Sequence, residues 1–222
     1  MSRDRFEPGR VPSQRPGKSG GKRDRNRQER TQVLCDAALG EFLERGIERV
    51  TVDEITKAAG VAKGSFYRYF EDKEQVVEAL FQPLGKELAD IFDRARNRLY
   101  EASNADELNR AYGDFSMEMG SMILRDPRLV RLYLQECRGP TEGARRPIVE
   151  IFDQLAAGAI DITKTGRQSG LLRDLPPELT ALAVVGAVEG LLLHYLEGRD
   201  FGDPVEATAA LVSMVLDGVR KR

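Results

Sequence analysis

Apolar residues recur at three- and four-residue intervals through nearly all of the chain beyond residue 30, and no stretch alternates apolar with polar long enough to read as a strand. That period confines the chain to an all-α fold. Val33, Leu34, Ala37, Ala38, Phe42 and Leu43 form one stripe, and Gly46 stops the first helix. Thr51 followed by Glu54 is a capping-box signature, in which each side chain satisfies the other residue's free backbone N–H. The short helix it starts carries Val52, Ile55 and Ala59 on its apolar face and ends at Gly60. A third helix follows within two or three residues and turns Val61, Phe66 and Phe70 inward. Asp72 with Gln75 marks the start of a long helix running toward Tyr100, with a kink expected at Pro83. Five more helices are predicted, at about 105–125, 127–138, 142–167, 177–198 and 204–220, separated by Gly and Pro punctuation. No internal repeat is visible.

Charge is segregated along this framework. Residues 1–27 carry nine Lys or Arg against three acids, and the remainder of the 34 basic and 36 acidic residues is 25 against 33. A cationic arm near +6 therefore precedes an acidic body near −8. The arm is rich in Pro and Gly and poor in apolar side chains, so burial cannot offset its ordering entropy and it is expected to be disordered. It has no apolar stretch of signal-peptide type, and no later segment reads as long and apolar enough to span a bilayer, which implies a cytoplasmic protein without membrane partners. Cys35 and Cys137 are isolated and read as small buried apolar residues. With one histidine, no clustered Cys or His and no nucleophile motif, no catalytic residue, metal site or cofactor is expected.

Two short helices joined by a Gly-containing turn and packed on a preceding helix make a helix-turn-helix, whose second helix can enter the DNA major groove. The outward positions of that helix are Lys63, Ser65, Tyr67, Arg68 and Tyr69, all hydrogen-bond donors to phosphate or base edges. The run from Thr51 through Ile55, Ala58-Ala59-Gly60-Val61, Lys63-Gly64, Phe66-Tyr67, Tyr69-Phe70 and Asp72-Lys73-Glu74 resembles the N-terminal domain of TetR-family regulators, over about residues 28–75. The resemblance implies an N-terminal three-helix helix-turn-helix domain (28–75) after the basic arm (1–27), and a C-terminal helical ligand-binding and dimerisation domain (76–222). It also implies a capping residue that contacts a phosphate at Thr51, a phosphate-binding tyrosine at Tyr67 and a lysine at Lys73 that holds the backbone. Lys63 and Gly64 fall at the start of the recognition helix, with Ser65, Arg68 and Tyr69 as further contacts. Ala62 departs from the Ser or Thr many relatives carry there, and alanine cannot cap the helix.

The segments 177–198 and 204–220 are the most apolar, and Gly186 and Gly190 lie at small-residue spacing. Pairing two copies through these helices would cover what a monomer exposes, so a homodimer reading an inverted-repeat operator in double-stranded DNA is expected. Phe92, Phe115, Met119, Met122, Tyr133 and Phe152 lie between, and the family leaves a cavity among such helices for a small apolar or amphipathic effector. Gln135, Glu136 and Glu189 are its candidate polar anchors, and His194 suits an interface better than a ligand contact. The combined reading is a ligand-released transcriptional repressor; the alternative is a DNA-bound adaptor that recruits a protein and has no small-molecule ligand. Removing residues 1–25 is expected to flatten the dependence of log affinity for DNA on log salt concentration. Equal slopes for the full-length and shortened chains would show that the arm does not lie on the phosphates.

Overall fold

A computed structural model describes residues 22–168, 170, 172–199, 207, 210, 211, 213–215 and 218, with side chains from residue 25 onward. The expected arm up to residue 21, and most of the helix expected at 204–220, lie outside the described residues. The helices are α1 (Lys22–Arg45), α2 (Val52–Ala58), α3 (Lys63–Phe66), α4 (Lys73–Glu101), α5 (Ala105–Arg125), α6 (Pro127–Glu136), α7 (Arg146–Gln168) and α8 (Pro177–Leu196), with a 3₁₀ turn over Gly143–Arg145 before α7. Among the described residues there is no β-strand, as the period of the sequence requires.

Local chemistry sets the boundaries. The Thr51 hydroxyl accepts from the Glu54 N–H at 3.3 Å while the Glu54 carboxylate accepts from the Thr51 N–H at 2.8 Å, the reciprocal box read in the sequence. Asp72 caps α4 through the Gln75 N–H at 2.9 Å, Asn104 caps α5, and Asp126 caps α6 with Pro127 in its first turn. Gly46 and Gly60 take φ of +80° and +65°, a region that other residues enter only with strain, and so end α1 and α2. Two expectations need correction. First, α1 begins at Lys22, inside the segment expected to be disordered, because Lys, Arg, Gln and Glu are good helix formers and lengthening an existing helix is cheap. Second, α8 has 20 residues and is apolar enough that by length and composition it does meet the requirement for crossing a membrane.

One continuous core joins the two ends of the molecule. Phe42, Ile47, Ile55, Phe66, Val76 and Val77 bury completely around α1 to α3 and the start of α4. Phe81, Leu88, Ile91 and Leu99 carry the same core along α4 toward Leu108, Leu132 and Ile148. Helix α4 is the spine, packed on α5, α7 and α1, while α8 lies on α7 and α6.

The α4 and α7 helices run in the same direction and interlock through two glycine notches. A Cβ on Gly85 of α4 would stand 2.6 Å from the Ile151 side chain of α7, and one on Gly158 of α7 would stand 2.5 Å from the Phe92 ring of α4. The pairs are seven residues apart on both helices, so each helix gives one knob and one hole. Gly158→Ala is expected to force the two helices apart and cost about 1–3 kcal/mol of stability in urea denaturation. Gly113→Ala, on α5 where a Cβ would meet nothing within 4 Å, should instead stabilise by about 0.5–1 kcal/mol; equal effects at both positions would refute the notch.

Candidate nucleic-acid interface

The α2–turn–α3 unit is anchored from below. Ile55 and Phe66 are fully buried, and Phe66 lies against Phe70 with ring centroids 5.6 Å apart. That leaves the opposite side of the four-residue α3 outward. Tyr67 is 48% exposed, its ring edge-on to Phe66 at 5.4 Å, and Arg68 is exposed beside it. Lys63 and Gly64 are exposed, and nothing lies within 4 Å of where a Cβ on Gly64 would be, so a ligand can approach that backbone closely. Ser65 and Tyr69 are half-buried, and Tyr69 leans on the core. Ala62 precedes α3 in an extended conformation and provides no side-chain cap, as its lack of a polar group dictates.

Thr51 is exposed at the start of α2, with both its hydroxyl and its N–H on Glu54. Arg45 donates to the same carboxylate at 2.6 Å, and this guanidinium, with the Thr51 N–H and hydroxyl, pulls the Glu54 carboxyl from 4.5 down to about 2. The cap is thus a charged assembly already in place without DNA.

Lys73 is placed differently from what the sequence implied. Its ammonium donates to the carbonyls of Ile47, Glu48 and Val50 at 2.6, 3.3 and 3.1 Å. All three N–H bonds are therefore spent on the loop between α1 and α2, and burial lowers its pKa. The backbone that this lysine holds is the protein's own.

The same loop is also held from α6. Glu136, at the end of α6 and only 4% exposed, accepts from the Ile47 N–H at 3.1 Å and from the Arg145 guanidinium at 2.5 Å. Gln135 donates to the Phe42 carbonyl at 3.4 Å, and Arg146 pairs with Glu74. The sequence reading made Gln135 and Glu136 effector anchors. Their side chains instead bond Ile47 and Phe42 of the helix-turn-helix domain, since α6 packs on α1 as well as on the C-terminal helices.

The remaining candidate ligand residues come together in part. Phe92 and Phe115 pack with ring centroids 5.4 Å apart, and Met122 is buried nearby in the same core, with Met119 and Phe152 half-buried at its edge. Glu189 interrupts the apolar α8 at 6% exposure and accepts from the Tyr133 hydroxyl and from Arg138, each at 2.7 Å. Burial, then the bond to Glu189, raises the Tyr133 pKa. His194 is exposed and bonds the Gly190 carbonyl of its own helix at 3.0 Å. Two open polar clefts lie between α4 and α5, of about 230 and 360 Å³, lined by alternating Arg and Glu or Asp such as Arg94 and Glu118 or Arg98 and Asp114. Neither is lined by Phe92, Phe115, Tyr133 or Glu189.

The model of bacterial regulatory proteins of the tetR family matches residues 34–80, which hold this whole unit from the middle of α1 into α4. The HTH-type transcriptional repressor DhaR of Mycobacterium sp. (strain GP1) is 28% identical over 177 residues, 73% of this chain and 80% of the repressor. The fatty acid degradation regulator FadR from Bacillus halodurans has the same fold at a TM-score of 0.64, with 22% identity over 85% of this chain and 99% of FadR. These matches support a TetR-family transcriptional regulator. Another solved TetR-fold neighbour, FadR from Bacillus subtilis in complex with stearoyl-CoA, matches at a TM-score of 0.62 and 23% identity, over 85% of this chain and 99% of its own. The all-α architecture is the one the period and caps of the sequence implied, and its N-terminal helix-turn-helix followed by a helical C-terminal domain is the one the family resemblance implied.

The three bonds from Lys73 predict a structural role. Lys73→Met leaves three carbonyls of one loop without their shared donor, and should lower the unfolding free energy by about 1–3 kcal/mol. Urea denaturation of the DNA-free protein reads this directly. Unchanged stability with uniformly weaker DNA binding would return Lys73 to the phosphates.

Proposed function

We propose that the chain is a cytoplasmic, ligand-responsive repressor that binds an inverted-repeat operator as a homodimer and leaves it when a small apolar or amphipathic inducer binds. The observation that carries this reading is the α2–α3 unit, where Lys63, Tyr67 and Arg68 project outward from a fully buried Phe66 and a pre-assembled Thr51 cap. In this reading Thr51 and Tyr67 take phosphates, Lys63, Gly64 and Ser65 approach base edges, and Arg68 and Tyr69 flank them. Lys73 contributes by fixing the loop that carries α2.

The dimer rests on α8, where Leu179, Leu182, Leu193 and Tyr195 remain exposed along one helix. A second copy seated there removes that apolar surface from water and gives the protein the twofold symmetry of an inverted repeat. For the inducer, the supporting likeness is to a FadR crystallised with stearoyl-CoA, a molecule with a long acyl chain and a polar head. The apolar residues Phe92, Phe115, Met119, Met122 and Phe152 suit the former, and the Tyr133, Arg138 and Glu189 group offers polar partners to the latter.

One observation favours the adaptor instead: Phe92 and Phe115 are already in contact, and Glu189 already has two partners. Selection of bound sequences from random duplex DNA, repeated with long-chain acyl-CoA and a panel of apolar metabolites, separates the two. An enriched palindrome that disappears with one compound is the expected result. A palindrome unaffected by every compound would favour the adaptor, and no palindrome would refute operator binding.

A further inference from the structure

Within the candidate interface, Lys63 is engaged with another residue of the protein. Its ammonium lies 2.7 Å from the carboxylate of Asp53, and the two side chains are 56% and 64% exposed. Asp53 belongs to the first turn of α2, Lys63 to the first of α3, so the pair bridges the turn of the helix-turn-helix on its outer side. An acid in the first turn of a helix is often explained by the helix dipole. Here the side-chain cap of α2 is supplied by Thr51 and Glu54, and the Asp53 carboxylate is turned to Lys63.

A carboxylate on a surface that meets phosphates opposes binding, since it adds like charge where counterion release is the driving force. Its presence there calls for an offsetting gain. A lysine ammonium has three N–H donors on a flexible stem. With one donor on Asp53, two are left, directed away from α2 and restricted to a narrow range of positions. Two convergent donors match the O6 and N7 acceptors that guanine presents in the major groove. Asp53 also holds Lys63 in its charged form.

We propose that Asp53 is a positioning residue for base readout, orienting Lys63 so that its two remaining N–H donors select a G·C pair in each half-site. This rests on the DNA-binding reading above. The carboxylate lowers affinity for DNA in general and raises the ratio between the preferred site and all others.

The test uses the full-length protein and its Asp53→Ala, Asp53→Asn, Lys63→Ala and Asp53→Ala/Lys63→Ala variants. Each is taken through selection from a random duplex library, followed by affinity measurements on the wild-type consensus and on an unrelated duplex, with the thermal midpoint recorded alongside. Asp53→Ala is expected to lose a guanine preference at one symmetry-related position, the same one lost in Lys63→Ala. The ratio of consensus to unrelated affinity should fall about tenfold, the size of one lost base contact. The double variant should discriminate no worse than Lys63→Ala alone, and Asp53→Asn should fall between wild type and Asp53→Ala. If Asp53 only stabilises the start of α2, the midpoint drops and affinity falls equally on both duplexes with an unchanged consensus, which overturns the proposal. If it only repels phosphates, affinity rises equally on both duplexes, which overturns it as well. Absence of any wild-type consensus overturns the DNA-binding reading and this assignment together, whereas a wild-type consensus retained by Asp53→Ala overturns the assignment alone.

Discussion

The six-residue loop between α1 and α2 is where the two halves of the molecule are tied together, and charge-assisted hydrogen bonds from two other helices hold it. Lys73, in the first turn of α4, takes three of its carbonyls, and Glu136, at the end of α6, takes the Ile47 N–H. A loop that short has no core of its own, so its conformation is set by these partners. Since α2 starts at its end, the direction of the helix-turn-helix follows from where Lys73 and Glu136 stand. Glu136 is itself neutralised by Arg145, so the junction is a chain of alternating charges, each partly buried and each dependent on the next. Breaking one member leaves a buried group without its partner, the costly direction of failure for such networks.

What the sequence shows of this depends on distance along the chain. The Thr51–Glu54 box, the Asp72 cap and the glycines that end α1 and α2 act within four residues, and were legible because both partners fall in one short motif. The helices from Asn104 to Leu196 were legible too, since Pro, Gly and capping residues mark their ends. The contacts of Lys73 and Glu136 with the loop span 23 to 89 residues, and no local pattern distinguishes a lysine that takes a phosphate from one that takes carbonyls. Glu136 lies within an apolar run, so burial was foreseeable, but the sequence did not say which face of α6 would meet α1. The pairing of Asp53 with Lys63 needed the geometry of the turn between them.

The glycine notches of α4 and α7 escaped for a related reason. Gly85 and Gly158 each look like a weak point in a helix, where glycine costs about 1 kcal/mol relative to alanine. Their value emerges only when both helices are present, since each accepts a knob from the other. The matched seven-residue spacing fixes axial register as well as distance, so α7 cannot slide along α4 without lifting both knobs from their holes. The parallel arrangement places the start of α7, with Arg146 on Glu74, beside the start of α4 and hence beside the junction loop.

Helix α4 runs without interruption from Lys73, which grips the DNA-facing half, to Glu101 at the far end of the C-terminal half. Its 29 residues make a rod about 43 Å long at 1.5 Å per residue. A rod converts angle into distance: a tilt of about 5° displaces one end by about 4 Å relative to the other, comparable to the rise of one base pair. Pro83 lies about a third of the way along and removes one backbone hydrogen bond, making that point the softest in an otherwise stiff lever. In a rod of this length a change of tilt set by packing along the C-terminal half moves the junction end by a distance on the scale of one step along DNA.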